Sequence, residues 1–248
     1  MAEAGMLLTE GKGKRLYATD DPETAIVYFK DEAMAFHGLK RGRILGKGEV
    51  NNAVCGHIYA MLERHGVKTH FLRQLDGRQS LVKRVEIIPV CVKVRNRVAG
   101  GLAQRINLPT GMRLNPTVIE FCLKSEELED PLVNFTHIRA LGLVTAEELD
   151  FISETAARVN GILTDFLAEI GIELIDFKME FGRYHGEIVV ADEISPDTAR
   201  FWDARTHEPL DIDRFRRDLG NVEQAYQEVL HRMMGMDEEN ERGQHDDE

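Results

Sequence analysis

The sequence predicts an α+β chain of two lobes, a small β-rich N-terminal lobe and a larger α+β lobe, with a ligand cleft between them. Three observations carry the prediction. Extended runs crowd the first hundred or so residues around a single helical pattern; one long capped helix follows near the middle; a hairpin and a last helix close the chain. The lobes are read as residues 1–90 and 91–234, followed by an acidic tail at 235–248.

From the N-terminus, "KRLYAT" and "TAIVYFKD" flank the turn "DDPE" and read as a hairpin. Residues 49–65 place Val50, Val54, Ile58 and Leu62 at helical spacing, and Gly66 supplies the stop. Extended runs follow in "FLRQL" and "SLVKRVEIIPVCVKVRN", then a glycine-containing turn, "AGG". Residues 145–170 give the clearest helix: Thr145 and Glu148 fit a capping box, Leu149, Ile152, Val159, Leu163, Phe166 and Ile170 form one stripe, and Gly171 ends it. A hairpin occupies 174–197 around His185-Gly186, and a final helix runs from about Asn221 to Met234. The closing run "DEENERGQHDDE" has no apolar residue and reads as a disordered tail.

Composition narrows the function. A formal net charge of −12 over 248 residues argues against nucleic acid or an anionic membrane as the main partner. Hydrophobic residues at 43% and charged residues at 30% suit a soluble globular chain with a sizeable core. Cys55, Cys91 and Cys122 are widely spaced, with no CxxC pair and no His cluster, which argues against a zinc site or disulfide framework and for a reducing cytoplasm. No apolar leader and no run of about 18 apolar residues occurs, so a soluble cytoplasmic protein is expected.

Several stretches have the chemistry of an anion site. "EGKGKRLY" (10–17) sets Gly11 and Gly13 between Lys12 and Lys14, where glycines admit a phosphate and lysines neutralise it; an exposed turn is the plain alternative. "VRNRVAGGLAQR" (94–105) packs Arg95, Arg97 and Arg105 around a Gly pair, which suits a bidentate anion site or simply solvated arginines. "DEISPDTARFWD" (192–203) turns at Ser195-Pro196 and delivers Arg200 beside Trp202, itself read as core.

The hairpin raises the sharpest question. Side chains alternate along a strand, so Asp176, Lys178 and Glu180 share a face. A two-residue turn pairs Tyr184 with Glu187 and therefore Glu180 with Ala191, which leaves Asp192 one residue from direct opposition to Glu180. Neighbouring carboxylates repel, and Mg²⁺, held by carboxylate and phosphate oxygens, would relieve the repulsion. Lys178 would then face an anionic substrate. A solvated strand face with a cross-strand ion pair explains the same residues, and spacing alone leaves both readings open.

Taken together and in this order, the stretches closely resemble the SAICAR synthetase (phosphoribosylaminoimidazole-succinocarboxamide synthase) family of purine biosynthesis. "LIDFKMEFG" (174–182) and "DEISPDTARFWD" are similar to its two signature stretches. "GKGKRLY" is similar to its phosphate loop, "GKGEVNN" (46–52) to its first helix start, "RNRVAGGL" (95–102) to its substrate-phosphate region and "DRFRRDLG" (213–220) to its C-terminal arginine motif. The resemblance implies a small β-rich lobe over a larger α+β lobe with ATP between them, loosely similar to protein kinases and ATP-grasp enzymes. It implies that ATP, the carboxylated aminoimidazole ribotide CAIR and L-aspartate yield SAICAR, ADP and phosphate. Carried over by motif, Gly11, Lys12, Gly13 and Lys14 touch the ATP phosphates, and Lys83 and Val85 lie along the adenine. Glu180 and Asp192 hold Mg²⁺. Arg95, Gly100, Gly101, Arg200 and Arg216 bind CAIR, with Lys124 and Asp130 beside it, and Asp176 and Lys178 stand at the reacting groups. A homo-oligomer is the family expectation.

The chain departs from the family pattern at Gly101, commonly Ser, at Cys91, usually Glu, and at His37, where Asn or Asp is expected. These touch the substrate pockets rather than the reaction class. Another ATP-dependent phosphotransferase, or a catalytically silent nucleotide-binding relative, is the alternative; "ADEISPD" has Asp-Glu where a kinase has its DFG, and no HRD-like loop is present.

Overall fold

The computed structural model describes residues 3–35, 38–125, 127–128 and 130–245, so His37 lies outside the described residues. The chain opens with β1 (Leu7–Glu10), β2 (Lys14–Ala18), β3 (Thr24–Phe29), β4 (Glu32–Ala35) and β5 (Lys40–Arg43). Helix α1 (Lys47–Arg64) is followed by β6 (Phe71–Gln74), β7 (Gln79–Lys83) and the long β8 (Glu86–Arg97). Next come α2 (Gly100–Ile106), β9 (Arg113–Leu123), β10 (Leu132–Val133), α3 (Phe135–Ala140) and α4 (Ala146–Glu169). The last elements are β11 (Ile172–Tyr184), β12 (Glu187–Ala191), β13 (Ala199–Asp203), α5 (Asp213–Arg216) and α6 (Val222–His245).

The class is α+β, as the sequence predicts. One antiparallel sheet has the order β1-β2-β3-β7-β6, a second has β10-β9-β8-β11-β12 with β13 also on β11, and β4-β5 stands as a separate hairpin. The capping box of α4 forms: the Thr145 hydroxyl accepts from Glu148 N at 3.1 Å, and the Glu148 carboxylate accepts from Thr145 N at 2.9 Å. Its stripe is buried except that Leu167 takes the innermost place next to the half-buried Phe166 and Ile170. The "AGG" turn is the start of α2, with Gly100 at φ 52°. Strand β9 escapes the sequence pattern because Pro116 interrupts it, and proline lowers a strand reading.

Strand β11 is the centre of the second sheet. One edge pairs with β8 from Asp176 to Arg183; the other pairs with β13 from Ile172 to Phe177 and with β12 from Glu180 to Tyr184. The β11–β12 register matches the predicted Tyr184–Glu187 and Glu180–Ala191 pairs, and His185 (φ 51°) and Gly186 (φ 80°) make the turn. Between β12 and β13 the chain leaves the sheet. Asp192 adopts φ 65° and ends the ladder, and Lys178 N donates to Thr198 O at 2.8 Å where the chain returns.

One apolar core crosses residue 90. Val54, Ile58 and Leu62 of α1 join Ile152 and Val159 of α4, Phe177 and Phe181 of β11 and Val229 of α6 in a single cluster. The sheets meet where His70 N donates to Val190 O at 2.8 Å and Val190 N to Lys68 O at 3.0 Å. Helix α6 continues to His245, so the polar run expected to be disordered is helical up to that residue. Among the described residues no helix is long and apolar enough to cross a membrane.

Asp31 ties β3, α1 and the β6–β7 turn together. Its buried carboxylate accepts from Gly48 N at 3.0 Å and from Arg78 at 2.7 and 3.1 Å. Burial alone would raise its pKa, but Arg78 and the Gly48 amide outweigh burial and hold it at about 2. An unfolded Asp titrates near ~3.9, so this carboxylate stabilises the fold fully above that value and loses its contribution as pH falls through about 2. Asp31→Asn is expected to lower unfolding free energy by about 2 kcal/mol near neutrality and to lose less on acidification than the parent. Urea unfolding across that pH window checks both.

Candidate active site

Directly paired residues on neighbouring strands share a face, so the ladders assign the floor of the site row by row. Glu180 lies beside Cys91 and then Cys122; Lys178 beside Lys93 and then Glu120; Asp176 beside Arg95, with Arg200 of β13 on its other side. Asp176 is 5% exposed and Glu180 2%, which rules against the solvated-face reading. A buried charge needs partners, and each of these has one.

Lysines from three segments converge on the acids. Lys178 Nζ lies 2.9 Å from Glu180 Oε1 and 3.6 Å from Asp130 Oδ2, and Lys124 bonds the other oxygen of Glu180. Lys14, reaching from β2, bonds Asp192 and lies 2.8 Å from Glu193 Oε1. Burial alone would raise the Asp192 carboxyl, but the charge and hydrogen bond of Lys14, with Lys124 and Lys178 behind it, hold it at about 2. Burial would likewise lower the Lys14 and Lys178 ammonium groups; Asp192 and Glu193 raise the first well above its ordinary value, and Glu180 raises the second. Four carboxylates thus face three lysines, and the site retains negative charge. Its donors are carboxylate oxygens, the hard ligands that Mg²⁺ takes, and a nucleotide-borne Mg²⁺ needs only one or two of them. Glu180 and Asp192 therefore fit such an ion.

Beside this cluster runs an arginine–carboxylate chain. Asp176 accepts from Arg95 Nη1 at 2.7 Å and from Arg200 Nη1 at 2.9 Å at both oxygens. Asp213 accepts from Arg200 Nε at 2.7 Å and from Arg216 Nη1 at 2.8 Å, so one carboxylate aligns two guanidinium groups. Both Asp176 oxygens are already bonded, which suits anchoring the arginines better than accepting a proton. Asp211, wholly buried beneath them, is pushed up to about 8 by burial and then by the charge of Asp213. Arg97 and Arg105, grouped with Arg95 in the sequence, turn elsewhere: Arg97 holds Glu173 and the Gly111 carbonyl, and Arg105 holds Glu120.

The glycine loop between β1 and β2 rests on a buried ion pair. Lys47 Nζ lies 2.5 Å from Asp197 Oδ2, Tyr226 donates to Asp197 Oδ1 at 2.6 Å, and a side chain at Gly13 would stand 3.5 Å from Asp197. Lys83 and Val85 lie at the β7–β8 connection: Lys83 Nζ donates to Thr69 O at 2.8 Å, and Val85 packs against Gly182. Nearby His70 is buried with Nδ1 unpartnered, and burial depresses it to about 4, so the ring is neutral. The structure therefore brings Lys14, Lys124, Asp130, Lys178, Glu180 and Asp192 together, with Arg95, Asp176, Arg200 and Arg216 in an adjoining group. Glu193, Lys47, Asp197 and Asp213 were not singled out as site residues. "GKGEVNN" and "DEISPDTARFWD" contain the first three, yet only the fold shows that they meet.

Comparison with known proteins agrees with this geometry. The family model described as SAICAR synthetase matches residues 7–233. Phosphoribosylaminoimidazole-succinocarboxamide synthase of Clostridium acetobutylicum is 52% identical over 229 residues, which is 92% of this chain and 97% of that protein. The crystal structure of the synthase from Ehrlichia chaffeensis superposes with a TM-score of 0.90 at 40% identity, covering 92% of this chain and 98% of that one. A SAICAR synthetase in complex with ADP superposes at 0.89 with 45% identity, covering 92% and 97%.

Two adjacent glycines test the arginine chain. A side chain at Gly100 would collide with the Arg200 guanidinium and sit at φ 52°, whereas one at Gly101 meets nothing within 4 Å. Gly100→Ala is expected to cost at least ~1 kcal/mol, and Gly101→Ser less than ~0.5 kcal/mol, in denaturant unfolding.

Proposed function

The chain belongs to the SAICAR synthetase family, and from that membership we infer that it joins L-aspartate to the carboxylate of CAIR, converting ATP to ADP and phosphate. A carboxylate does not acylate an amine until its oxygen becomes a leaving group. In our reading the CAIR carboxylate attacks the γ-phosphorus of ATP, ADP departs, and the aspartate amine then displaces phosphate from the acyl carbon. The first step needs alignment and charge neutralisation more than covalent help from the protein.

The buried acid–lysine floor carries this reading. Lys14, with Gly11, Lys12 and Gly13, lies along the ATP phosphates, and Lys83 and Val85 along the adenine. Glu180 and Asp192 would hold Mg²⁺, which neutralises charge developing on the transferred phosphoryl group. Arg95, Arg200 and Arg216, beside Gly100 and Gly101, bind the CAIR phosphate, while Asp176 holds two of these arginines in place. Lys178 faces the acyl carbonyl or the departing phosphate, flanked by Lys124 and Asp130. Every substrate is anionic, so each displaces a lysine or arginine from an internal carboxylate, and the site opens to ligands by exchanging ion pairs. We place the enzyme in the cytoplasm as a homo-oligomer, in keeping with its three unbridged thiols and its family.

ADP release with ATP, Mg²⁺ and CAIR, with and without L-aspartate, tests the activity. Release is expected only when both CAIR and aspartate are present; aspartate-independent release would indicate a phosphotransferase, and no release a silent relative. Glu180→Gln and Asp192→Asn are each expected to lower kcat by on the order of 100-fold while unfolding stays cooperative. For Lys178→Ala the loss is expected in kcat; a rise confined to the KM for CAIR would contradict its placement.

A further inference from the structure

The mechanism leaves unused a pair of thiols on its own floor. Cys91 and Cys122, distant in sequence, are directly opposed on β8 and β9, and Cys91 is in turn opposed to Glu180 on β11. Lys124 N donates to Pro89 O at 3.0 Å, so Pro89 and Lys124 form a hydrogen-bonded position of the ladder, and by alternation so do Cys91 and Cys122. Such a position sets Cα atoms about 5.5 Å apart, inside the roughly 4.4–6.8 Å that a disulfide spans.

The chemistry around the two sulfurs is unequal. The Cys91 thiol donates to Cys122, which raises Cys91 well above its ordinary value. That bond, and after it the Lys93 ammonium, lowers Cys122 to about 6 against the opposing effect of burial. Cys122 therefore carries the thiolate, the reactive form. Cys55 is the internal contrast: burial pushes its thiol up to about 12. All three cysteines are buried, so only a small oxidant reaches them.

We propose that Cys91 and Cys122 are a peroxide-oxidisable pair whose cross-strand disulfide reversibly disables the floor beneath Glu180. The Cys122 thiolate attacks one oxygen of hydrogen peroxide, the O–O bond breaks, and the departing hydroxide takes a proton to become water. The Cys91 sulfur then displaces the sulfenic hydroxyl, which leaves as a second water. Two thiols lose two electrons and two protons, and one peroxide is reduced to two waters. The bond fixes Cys91 to β9, out of the row it shares with Glu180 and Lys178. The effect on turnover rests on the ligase reading; formation of the bond does not.

The test treats the full chain with hydrogen peroxide and follows non-reducing peptide mass spectrometry alongside ADP release. A mass loss of about 2 Da in a joined Cys91–Cys122 peptide pair is expected, with turnover falling at least about fivefold and returning with dithiothreitol. Cys122→Ser should keep its turnover in peroxide. Absence of the joined pair, or a bridge to Cys55, overturns the site, and a joined pair with unchanged turnover overturns the switch. The peptide map of the parent chain decides the bond even if Cys122→Ser fails to fold. If the reduced chain never releases ADP, the ligase reading fails and the map still decides the thiols.

Discussion

A slip of one residue in the pairing of β11 would turn the molecule inside out. Phe177, Met179 and Phe181 are buried in the main core, and the residues between them, Asp176, Lys178 and Glu180, face the site. The strand's period of two makes these placements one event: the apolar face selects the register, and the register presents the charged face. Because β8 runs along the whole of one edge while β12 and β13 divide the other, the same register sets Arg95 and Arg200 on either side of Asp176. It also fixes where Asp192 and Glu193 leave the sheet.

The result is a charged floor inside a packed protein, which only near-complete pairing makes tolerable. An unpartnered ion there would be costly, so a missing lysine or carboxylate leaves the opposite charge stranded. That arithmetic also explains how an acidic protein binds anionic substrates. Its cations do not spread over the surface but are held in place by internal acids: Lys14 by Asp192 and Glu193, Arg200 by Asp176 and Asp213, Lys47 by Asp197. A phosphate or carboxylate arrives at donors already oriented, and the entropy of orienting them is not lost at that moment.

Local chemistry was legible in the sequence where it determines geometry locally. The α4 capping box and the His185-Gly186 turn each involve residues within a few positions, and both form as read, including the strand register on either side of the turn. The chemical grouping of Lys178, Glu180 and Asp192 was legible from alternation and family motifs. Their burial was not, since it depends on β8 and β13, which are remote in sequence. Cys91 and Cys122 read as isolated for the same reason: their pairing requires the β8–β9 ladder, which Pro116 conceals. Arg97 and Arg105 looked equivalent to Arg95, yet the twist of β8 and the turn into α2 direct them to Glu173 and Glu120. Nor does residue 90 divide the packing, because the apolar stripe of α1 joins the same core as α4, β11 and α6.

The central claim is that Glu180 and Asp192 act as one cation site opened by nucleotide binding. Mn²⁺ substitutes for Mg²⁺ and is visible by electron paramagnetic resonance, so titrating the ion into protein with ATP reads the site without requiring turnover. The account predicts that bound Mn²⁺ appears with ATP in the parent chain and weakens by at least about tenfold in both Glu180→Gln and Asp192→Asn. Unchanged Mn²⁺ affinity in the two variants, with ATP still bound, would contradict it.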